Sequence, residues 1–423
     1  MENLVGDNNM RRVVVTGIGA ITPLGNSVEE TWNKLIHGES GIGKLTRFDS
    51  TTFSAKTAAE VKDFSLSNYI QVNERHRMDR FTEYAVASSI MAIQDANVIP
   101  GKTVHEERIG VSFGTAIGGI ESFENTYRDL QNGGYQNLYP FSTTTVISNM
   151  AASQVAIAIG AKGINTCVVL SCASGSNAIG DAFRAIQRGD AEVIVAGGSE
   201  ASLTPLGIGA FCAMGAISTN PDPEHACRPF DKNRDGLVMG EGAGAIVLES
   251  LDTALSRQAK IYGEIVGYST VSDAYHITSP APGGEGAVRA MNGALSESCL
   301  ALEEIEYINA HGTSTTYNDR FETEAIKSFL RKRAYDVPIS STKSMTGHMM
   351  GAAGAVEAIF TLLAIETGII PPTVNLHTPD EACDLDYVPN EARETTIKAA
   401  ISNALGFGGH NTALLFKKFE DRL

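Results

Sequence analysis

The sequence has little that could hold a metal ion or build a disulfide framework. Its six cysteines include no CxxC pair, and its nine histidines show none of the spacings of zinc ligands. We therefore expect no metal site. Cysteines without a paired framework are also typical of a reducing compartment, so a cytoplasmic location is predicted.

Positive charge and long apolar runs are also scarce. A formal net charge of −16 opposes binding to nucleic acid or to an anionic membrane, because the long-range field would repel both. The first ten residues are acidic and lack an apolar core, so they do not predict a secretory signal. The best membrane candidate, residues 349–365, is short and carries Glu357. We expect a soluble protein that binds neither nucleic acid nor membrane.

No proline- or serine-rich linker divides the chain, and β-branched segments alternate with helical patterns. This alternation predicts an α/β fold whose mainly parallel sheets are covered on both faces. Strands are predicted at 11–20, 107–114, 166–172, 191–198, 244–250, 260–270, 305–312, 399–406 and 412–418. Helices are predicted at 28–36, 77–96, 147–159, 175–188, 286–300, 319–332 and 349–367. The neighbouring strands at 244–250 and 260–270 suggest an antiparallel insertion, and similar β/α halves on either side of 268–284 suggest duplication.

A dinucleotide-binding site is not predicted. The run "GIGAIT" at 17–22 follows the first strand, but Thr22 stands where the third glycine of the fingerprint belongs. The run "GTAIGG" at 114–119 fails in the same way. We therefore expect no cofactor.

The most informative feature that is present is the context of Cys172. The stretch "VVLSCASGSNAIGDAFRAIQRG" at 168–189 places this cysteine between a predicted strand and a predicted helix. There the helix dipole and free backbone N–H groups could stabilise a thiolate, and the same N–H groups could bind an oxyanion. The alternative is a buried structural cysteine, and this segment alone does not decide between the two. Cys167, within the strand, is predicted to belong to the core.

Two histidines follow predicted strands at positions where α/β sheets build their sites. His311 lies in "NAHGTSTTYND", and His348 lies in "STKSMTGHMMGAAGAVEA" before a predicted helix. Either histidine alone could be structural, but with Cys172 they could activate a thiol or stabilise an enolate. Four charged side chains accompany them and are either solvated surface groups or groups that orient the histidines. These are Lys343, Glu357, Asp319 and Glu322.

A third glycine-rich turn, "SNALGFGGHN" at 402–411, completes the set of candidate site segments. Phe407 stands between glycines, where it is either a core plug or a movable gate with a free backbone N–H. His410 is interpreted as structural.

Six motifs in this order resemble the β-ketoacyl-acyl carrier protein synthases, and in particular the elongating type II enzymes of fatty acid synthesis. They are "VVVTGIGAITPLG", the Cys172 segment, "RPFDKNRDGLVMGEGAG", "NAHGTST", "STKSMTGHMMGAAGAVE" and "SNALGFGGHN". The resemblance runs from about Met10 to the end of the chain. It implies the thiolase fold, in which two similar βαβ halves form a five-layered αβαβα sandwich, and a homodimer. The halves are expected at 10–265, with the cysteine, and at 266–423, with the histidines and the phenylalanine.

The resemblance also implies a role for each candidate residue. Cys172 becomes the acyl-accepting nucleophile, and His311 and His348 become the pair that promotes malonyl decarboxylation. The backbone N–H groups of Cys172 and Phe407 become the oxyanion hole, and Phe407 also becomes the gate. The remaining residues are Lys343, which orders the site, its partner Glu357, the supporting Asp319 and Glu322, and Ile117, which lines the acyl tunnel.

The implied partner is acyl carrier protein, loaded with acyl or malonyl groups. "NERHRMDR" at 73–80 supplies the candidate docking residues Arg75, Arg77 and Arg80. Gly215 stands where the family often has arginine, and "SCASGS" replaces the more usual "TACATG", so docking and the pocket wall are expected to differ from the usual pattern.

Three functions compete for this sequence. The first is elongation of fatty acids, and the second is the same condensation in a dissociated polyketide or polyene pathway. The third is a non-catalytic chain-length partner subunit, which typically lacks the cysteine, so Cys172 counts against it. A thiolase that uses coenzyme A would have a second catalytic cysteine near the C-terminus, and "SNALGFGGHN" contains none.

Overall fold

The computed structural model of the chain describes residues 10–70 and 77–420. The strands are β1 Val13–Ile21, β2 Gly43–Lys44, β3 Thr57–Ala58, β4 Ile109–Gly114, β5 Asn165–Val168, β6 Val193–Glu200, β7 Gly242–Ser250, β8 Gly263–Ser272, β9 Ile305–Asn309, β10 Ile339–Ser340, β11 Ile369–Ile370, β12 Arg393–Glu394, β13 Ala399–Gly406 and β14 His410–Lys417. The helices are α1 Val28–Ile36, α2 Arg80–Asp95, α3 Ile120–Gly133, α4 Ser142–Val146, α5 Met150–Ile159, α6 Ser174–Arg188, α7 Pro205–Met214, α8 Leu251–Ser256, α9 Glu285–Ser298, α10 Thr316–Leu330, α11 Lys343–Thr346 and α12 Ala353–Thr367.

One five-strand pattern occurs twice in the large sheet. The strand order is β10-β9-β13-β14-β8-β1-β7-β6-β4-β5, so the two halves are β5-β4-β6-β7-β1 and β10-β9-β13-β14-β8. In each half the three outer strands are mutually parallel, and the two that follow are antiparallel to their neighbours. This repeat confirms the duplicated α/β fold expected from the sequence. The expectation of mainly parallel sheets is wrong, because among the described strands of the large sheet five pairings are antiparallel and four are parallel.

The first strands of the two halves join them edge to edge. β1 pairs with β8 over three residues, from Val13 opposite Ile265 to Val15 opposite Gly263, and with β7 along its other side. The strands predicted at 244–250 and 260–270 therefore lie on either side of β1, and both are antiparallel to it. They do not form a local insertion of their own, because β1 supplies the partner that each needs.

Five layers stack around two central helices. α6 and α12 contact each other and strands of both halves. α2 and α5 cover the outer face of the first half, and α9 and α10 cover that of the second. The architecture is the predicted αβαβα sandwich, and it buries the start of α6, which follows Cys172, in the centre of the protein.

The apolar run at 349–365 is a core helix. One helical stretch, Met350–Thr367, is long and apolar enough to cross a membrane, but 89% of that window is buried inside the protein. Every residue of α12 from Ala353 to Ile365 is buried. A helix packed between the two halves of the large sheet has no solvent-exposed face, which explains why it lacks the polar stripe of a surface helix.

Sequence reasoning extended two strands too far and missed several elements. β9 ends at Asn309, whereas the prediction continued it to 312. β5 ends at Val168, four residues before Cys172, whereas the prediction continued it to 172. β5 is also an edge strand, so Cys167 is only half-buried and not a core residue as predicted. The helices α3 and α7 and the two-residue strand β10 were not predicted.

Candidate active site

Cys172 lies in a sharp turn that leads into α6. Ser171 has a φ of +51°, in the left-handed region, which reverses the chain just before the cysteine. Ala173 caps the helix, and α6 begins at Ser174. The backbone N–H groups of Phe407 and of Cys172 itself hydrogen-bond to the thiol. The two donors predicted to form an oxyanion hole therefore converge on the sulfur.

Burial has the largest effect on the pKa of the Cys172 thiol. Its side chain is buried, and burial raises the pKa to about 12, with a further increase from Glu200. Lys343 and the two backbone N–H groups oppose this effect but do not cancel it. The N–H group of Cys172 at the start of α6 thus favours the thiolate, as expected, but burial acts against it more strongly.

Glu322 holds the backbone around His311. One carboxylate oxygen accepts the N–H of His311 at 2.7 Å, and the other accepts the N–H of Gly312 at 2.8 Å. Glu322 is buried in α10, and burial raises its pKa to about 7. Its contact is thus with the chain that carries the histidine and not with the imidazole.

Asp319 supports a different segment. Its Oδ2 accepts the backbone N–H of Phe230 at 2.8 Å and lies 3.6 Å from Nε of Arg234. Arg234 also donates to the carbonyl of Thr315 at 3.1 Å. Asp319 therefore fixes the loop after Cys227 against the start of α10.

A buried ion pair stands behind His311. Nζ of Lys343 lies 2.5 Å from Oε1 of Glu357 and 3.3 Å from Nδ1 of His311. All three side chains are at most 3% exposed. An ammonium group can only donate, so it meets the unprotonated nitrogen of the imidazole, and the ring proton resides on Nε2.

His348 is held in the same tautomer by a different donor. The backbone N–H of Met350 donates to Nδ1 of His348 at 3.2 Å, which leaves the proton of the neutral ring on Nε2. Burial and the Lys343 charge hold the pKa of both imidazoles, His311 and His348, well below the ordinary value. Their ring centroids are 5.2 Å apart and the rings are nearly perpendicular, at 85°. Two neutral N–H donors are thereby available for one developing negative charge.

Cys172, His311 and His348 line one cavity of about 310 Å³. Phe407 also lines it, and its ring stacks on Phe211 with centroids 6.0 Å apart, at 20°. The ring therefore packs at the cavity wall beside the thiol, a position compatible with the predicted gate and not with a core plug.

Ile117, predicted for the acyl tunnel, and the described residues predicted for docking do not line this cavity. Ile117 is 37% exposed and is not among the described residues that line the cavity. Arg80 is paired with Glu121 at 2.9 Å, whereas Arg77 is exposed, with its guanidinium 5.1 Å from the centre of the Phe141 ring. Arg75 lies outside the described residues.

Gly215 has a conformational reason to be glycine. It ends α7 with a φ of +69°, in the left-handed region that disfavours other residues. An ideal Cβ at this position would meet nothing within 4 Å, so the constraint is the backbone and not the space.

Sequence reasoning missed two residues close to the site. Glu200 is fully buried at the end of β6, and its charge raises the pKa of Cys172. The signal in the sequence was a carboxylate at the end of the apolar run "AEVIVAGGSE". Such a position is unusual, since isolated charges are seldom buried. His410, interpreted as structural, lines the cavity. Across the described ranges, no group of three or more His, Cys, Asp or Glu side chains could hold a metal ion.

Comparison with known proteins gives two matches to family descriptions. Residues 10–254 match "Beta-ketoacyl synthase, N-terminal domain", and residues 262–377 match "Beta-ketoacyl synthase, C-terminal domain". The chain is 50% identical over 411 residues to the 3-oxoacyl-[acyl-carrier-protein] synthase 2 of Synechocystis sp. strain PCC 6803, which covers 97% of this chain and 99% of that protein.

Solved structures give the same result for the fold. A β-ketoacyl synthase from Burkholderia phymatum superposes with a TM-score of 0.91 at 35% identity, over 97% of this chain and 100% of the other. A type II polyketide ketosynthase, solved with its acyl carrier protein and a hexaketide, superposes with a TM-score of 0.91 at 34% identity and the same coverage.

Proposed function

The chain belongs to the β-ketoacyl synthase family, and on that premise we propose that it joins an acyl group held on Cys172 to malonyl-acyl carrier protein. The reaction is a decarboxylative Claisen condensation that gives 3-oxoacyl-acyl carrier protein in fatty acid elongation. The observation that carries the proposal is that Cys172 shares one cavity with two neutral imidazoles, those of His311 and His348, whose protons reside on Nε2.

The first step loads the enzyme. The Cys172 sulfur attacks the carbonyl carbon of an acyl-carrier thioester, a new C–S bond forms, and the carrier thiol leaves with the proton of the cysteine. The negative charge on the carbonyl oxygen is met by the backbone N–H groups of Cys172 and Phe407, which already point at the sulfur. Losing one such donor typically costs about 3 kcal/mol of activation free energy.

The second step makes the nucleophile. Malonyl thioester binds with its carbonyl oxygen between His311 and His348, its C–C bond to the carboxylate breaks, and carbon dioxide leaves. The electron pair moves into an enolate, whose oxygen accepts hydrogen bonds from both Nε2 atoms. Neutral donors suit this step because they stabilise the enolate without protonating it.

The third step forms the product. The enolate carbon attacks the acyl carbonyl on Cys172, a C–C bond forms, and the C–S bond breaks when the tetrahedral intermediate collapses. The sulfur leaves as a thiolate and takes up a proton, which restores the neutral thiol. Lys343, whose Nζ lies 3.3 Å from Nδ1 of His311, serves to fix the tautomer of that imidazole.

We also propose a division of the chain into two halves and a role for Ile117. The first half of the duplicated fold carries Cys172, and the second carries both histidines and Phe407. We place the division before Gly263, where β8 begins, since the expected boundary at 265/266 falls inside that strand. Ile117 is assigned to the acyl tunnel by the resemblance alone.

Acyl carrier protein is the proposed partner. Carrier proteins of this kind are acidic, and Arg77 is an exposed cation available to them, whereas Arg80 is already paired with Glu121. The similar polyketide ketosynthase was solved with its own carrier protein, which supports the same class of partner here.

A homodimer with a cytoplasmic location completes the proposal. The outer edge of β5 has no partner strand within the described part of the chain. Apolar side chains are exposed beside it, among them Val169, just after β5, at 53% and Ile157, on α5, at 67%. An open, apolar strand edge favours pairing with a second copy. The six cysteines are unpaired, as in a reducing compartment.

A polyketide or polyene pathway is the second candidate. It is favoured by one observation, the 34% identity and full-length superposition with the polyketide ketosynthase. Chain-length preference separates the two pathways, since the condensation chemistry is shared.

Intact-mass spectrometry tests the proposal. Wild-type protein and Cys172→Ala are mixed with acyl-carrier proteins of several chain lengths and then with malonyl-carrier protein. The expected result is an acyl adduct on the wild type only, discharged to a carrier-bound product two carbons longer. Absence of an adduct with every donor would reject a self-sufficient condensing enzyme and leave the partner-subunit reading.

A further inference from the structure

Glu200 is a buried carboxylate that the reaction itself does not use. It is the last residue of β6, and its side chain is 0% exposed. Burial raises its pKa to about 7, and the groups that offset this are N–H and O–H donors, foremost the backbone N–H of Ala116 and of Gly351. A buried charge that is satisfied by donors from separate segments fixes those segments relative to each other.

The carboxylate joins two turns from different halves of the duplicated fold. Its Oε2 accepts the N–H of Ala116 at 2.7 Å and that of Gly351 at 3.1 Å. Its Oε1 accepts the hydroxyl of Thr115 at 3.3 Å. The turns are in backbone contact, since a Cβ added to Gly351 would lie 2.4 Å from the nitrogen of Ala116. Glycine at 351 permits this approach, and Glu200 holds it.

Both turns form the apolar wall behind the nucleophile. Cys172 and Met350 belong to one buried cluster, and Ala116 packs against it. Met350 also donates its N–H to the imidazole of His348. A shift between the two turns would therefore change the space beside the sulfur more than the position of His311, which Glu322 and Lys343 hold independently.

We propose that Glu200 is a positioning residue for the acyl chain, which ties the Thr115–Ile117 turn to the Met350–Gly351 turn and so sets which chain lengths load onto Cys172. This inference rests on the proposed function. It assigns to Glu200 a geometric role in which acceptor oxygens matter and the negative charge does not.

Two substitutions separate these possibilities. Glu200→Gln keeps one oxygen for Ala116 and Gly351 and places its amide against the Thr115 hydroxyl, which can accept. Glu200→Ala removes every acceptor. Glu249→Ala is the control for loss of a buried carboxylate away from the site, because Glu249 lies opposite Val193, at the other end of β6, and its partners are Arg257 and Thr16.

The measurement is the rate at which Cys172 is acylated by hexanoyl- and by palmitoyl-carrier protein, with thermal unfolding recorded for each variant. We expect the ratio of the two rates to change about tenfold in Glu200→Ala and to stay within about twofold in Glu200→Gln.

Several outcomes would overturn the inference. An unchanged ratio in folded Glu200→Ala would show that the turns do not depend on the carboxylate. An equal change of the rate ratio in Glu249→Ala would show that the change in Glu200→Ala reflects lower stability and not the contacts of Glu200. An equal change in Glu200→Gln would show that the charge of Glu200 matters and its geometry does not. If the wild type forms no adduct with either donor, the proposed function itself fails, and the variants are then not at issue.

Discussion

The ammonium of Lys343 lies 3.3 Å from Nδ1 of His311, and both side chains are buried. This contact places the imidazole proton on Nε2 and, after burial itself, is the largest cause of the lowered pKa of His311. Lys343 thus fixes both the charge and the tautomer of His311, which we propose to contact the substrate. Glu357 keeps the ammonium in place at 2.5 Å.

Lys343→Met should abolish the effect of Lys343 on the tautomer and charge of His311. The imidazole of His311 loses the donor at Nδ1 and can adopt the other tautomer, so decarboxylation of malonyl-carrier protein should fall about 100-fold. Acylation of Cys172 should fall much less. Release of carbon dioxide and formation of the acyl adduct, measured on the same preparation, check the difference.

The same substitution should also lower stability, and a second variant separates the two effects. Breaking a buried ion pair leaves Glu357 uncompensated, at a cost of about 3 to 5 kcal/mol. Adding Glu357→Gln should recover part of that stability without recovering decarboxylation. Recovery of both would mean that Lys343 acts only through folding.

Alkylation of Cys172 should accelerate steeply with pH. Burial raises the pKa of this thiol to about 12, and the thiolate is the reactive form. The rate of modification by iodoacetamide should therefore rise about tenfold per pH unit from pH 7 to pH 9 without a plateau. Peptide mass spectrometry reports Cys172 separately from the exposed Cys299. A plateau within this range would show that the thiolate is stabilised after all.

Phe407→Ala should open the site to water while keeping the backbone donor. The ring that stacks on Phe211 is lost, but the N–H that points at the sulfur remains. We expect condensation to fall about tenfold and hydrolysis of the acyl-enzyme to become measurable. Phe211→Ala is the control at the other ring of the stack and should affect hydrolysis less, because Phe407 still covers the thioester. Identical hydrolysis in wild type and Phe407→Ala would remove the gate assignment.

Glu322 should make stability fall as pH rises. Its pKa is raised by burial from an ordinary 4.5 to about 7, so its contribution is fully present below 4.5 and is lost as pH rises towards 7. His311 and His348 act in the opposite sense, because their lowered pKa values cost stability as pH falls below 6.5.

Comparison with Glu322→Gln isolates the carboxylate from the histidines. From pH 5 to pH 8, the free energy of unfolding of the wild type relative to this variant should decrease by about 3 kcal/mol. Denaturant unfolding at several pH values measures it. A difference that is constant with pH would show that Glu322 is ionised in the folded protein at all these values.

Val169→Asp should weaken the dimer. The side chain is 53% exposed just beyond β5, at the open edge of the sheet. A charge there would be desolvated if a second copy pairs along this edge. Light scattering after size exclusion should show a dimer for the wild type and monomer for the variant, whereas Leu255→Asp, equally exposed on α8, should leave the dimer intact. A monomeric wild type would contradict the homodimer.

The chain alone predicted the α/β class of fold and the three side chains that we propose to react. Alternating strands and helices predicted sheets that are covered on both faces, but not that β1, β7, β8 and β14 would pair antiparallel with their neighbours. Cys172, His311 and His348 were recognisable because each stands in a glycine-rich turn next to a predicted strand or helix. Helix α1 was predicted at the bounds the structure has, because its apolar periodicity and the Ser27 cap are local features.

Tertiary structure decided what depends on distance between remote residues. The raised pKa of the Cys172 thiol could not be predicted from the neighbouring residues, because burial under remote segments causes it. Only the start of the helix beside the cysteine is visible in the sequence. The tautomers of both histidines depend on Lys343 and on the N–H of Met350, whose directions follow from packing. The bonds of Glu200 to Ala116 and Gly351 join segments more than eighty residues from it. Sequence periodicity reports which face of an element is buried, and only the packed chain reports which groups meet there.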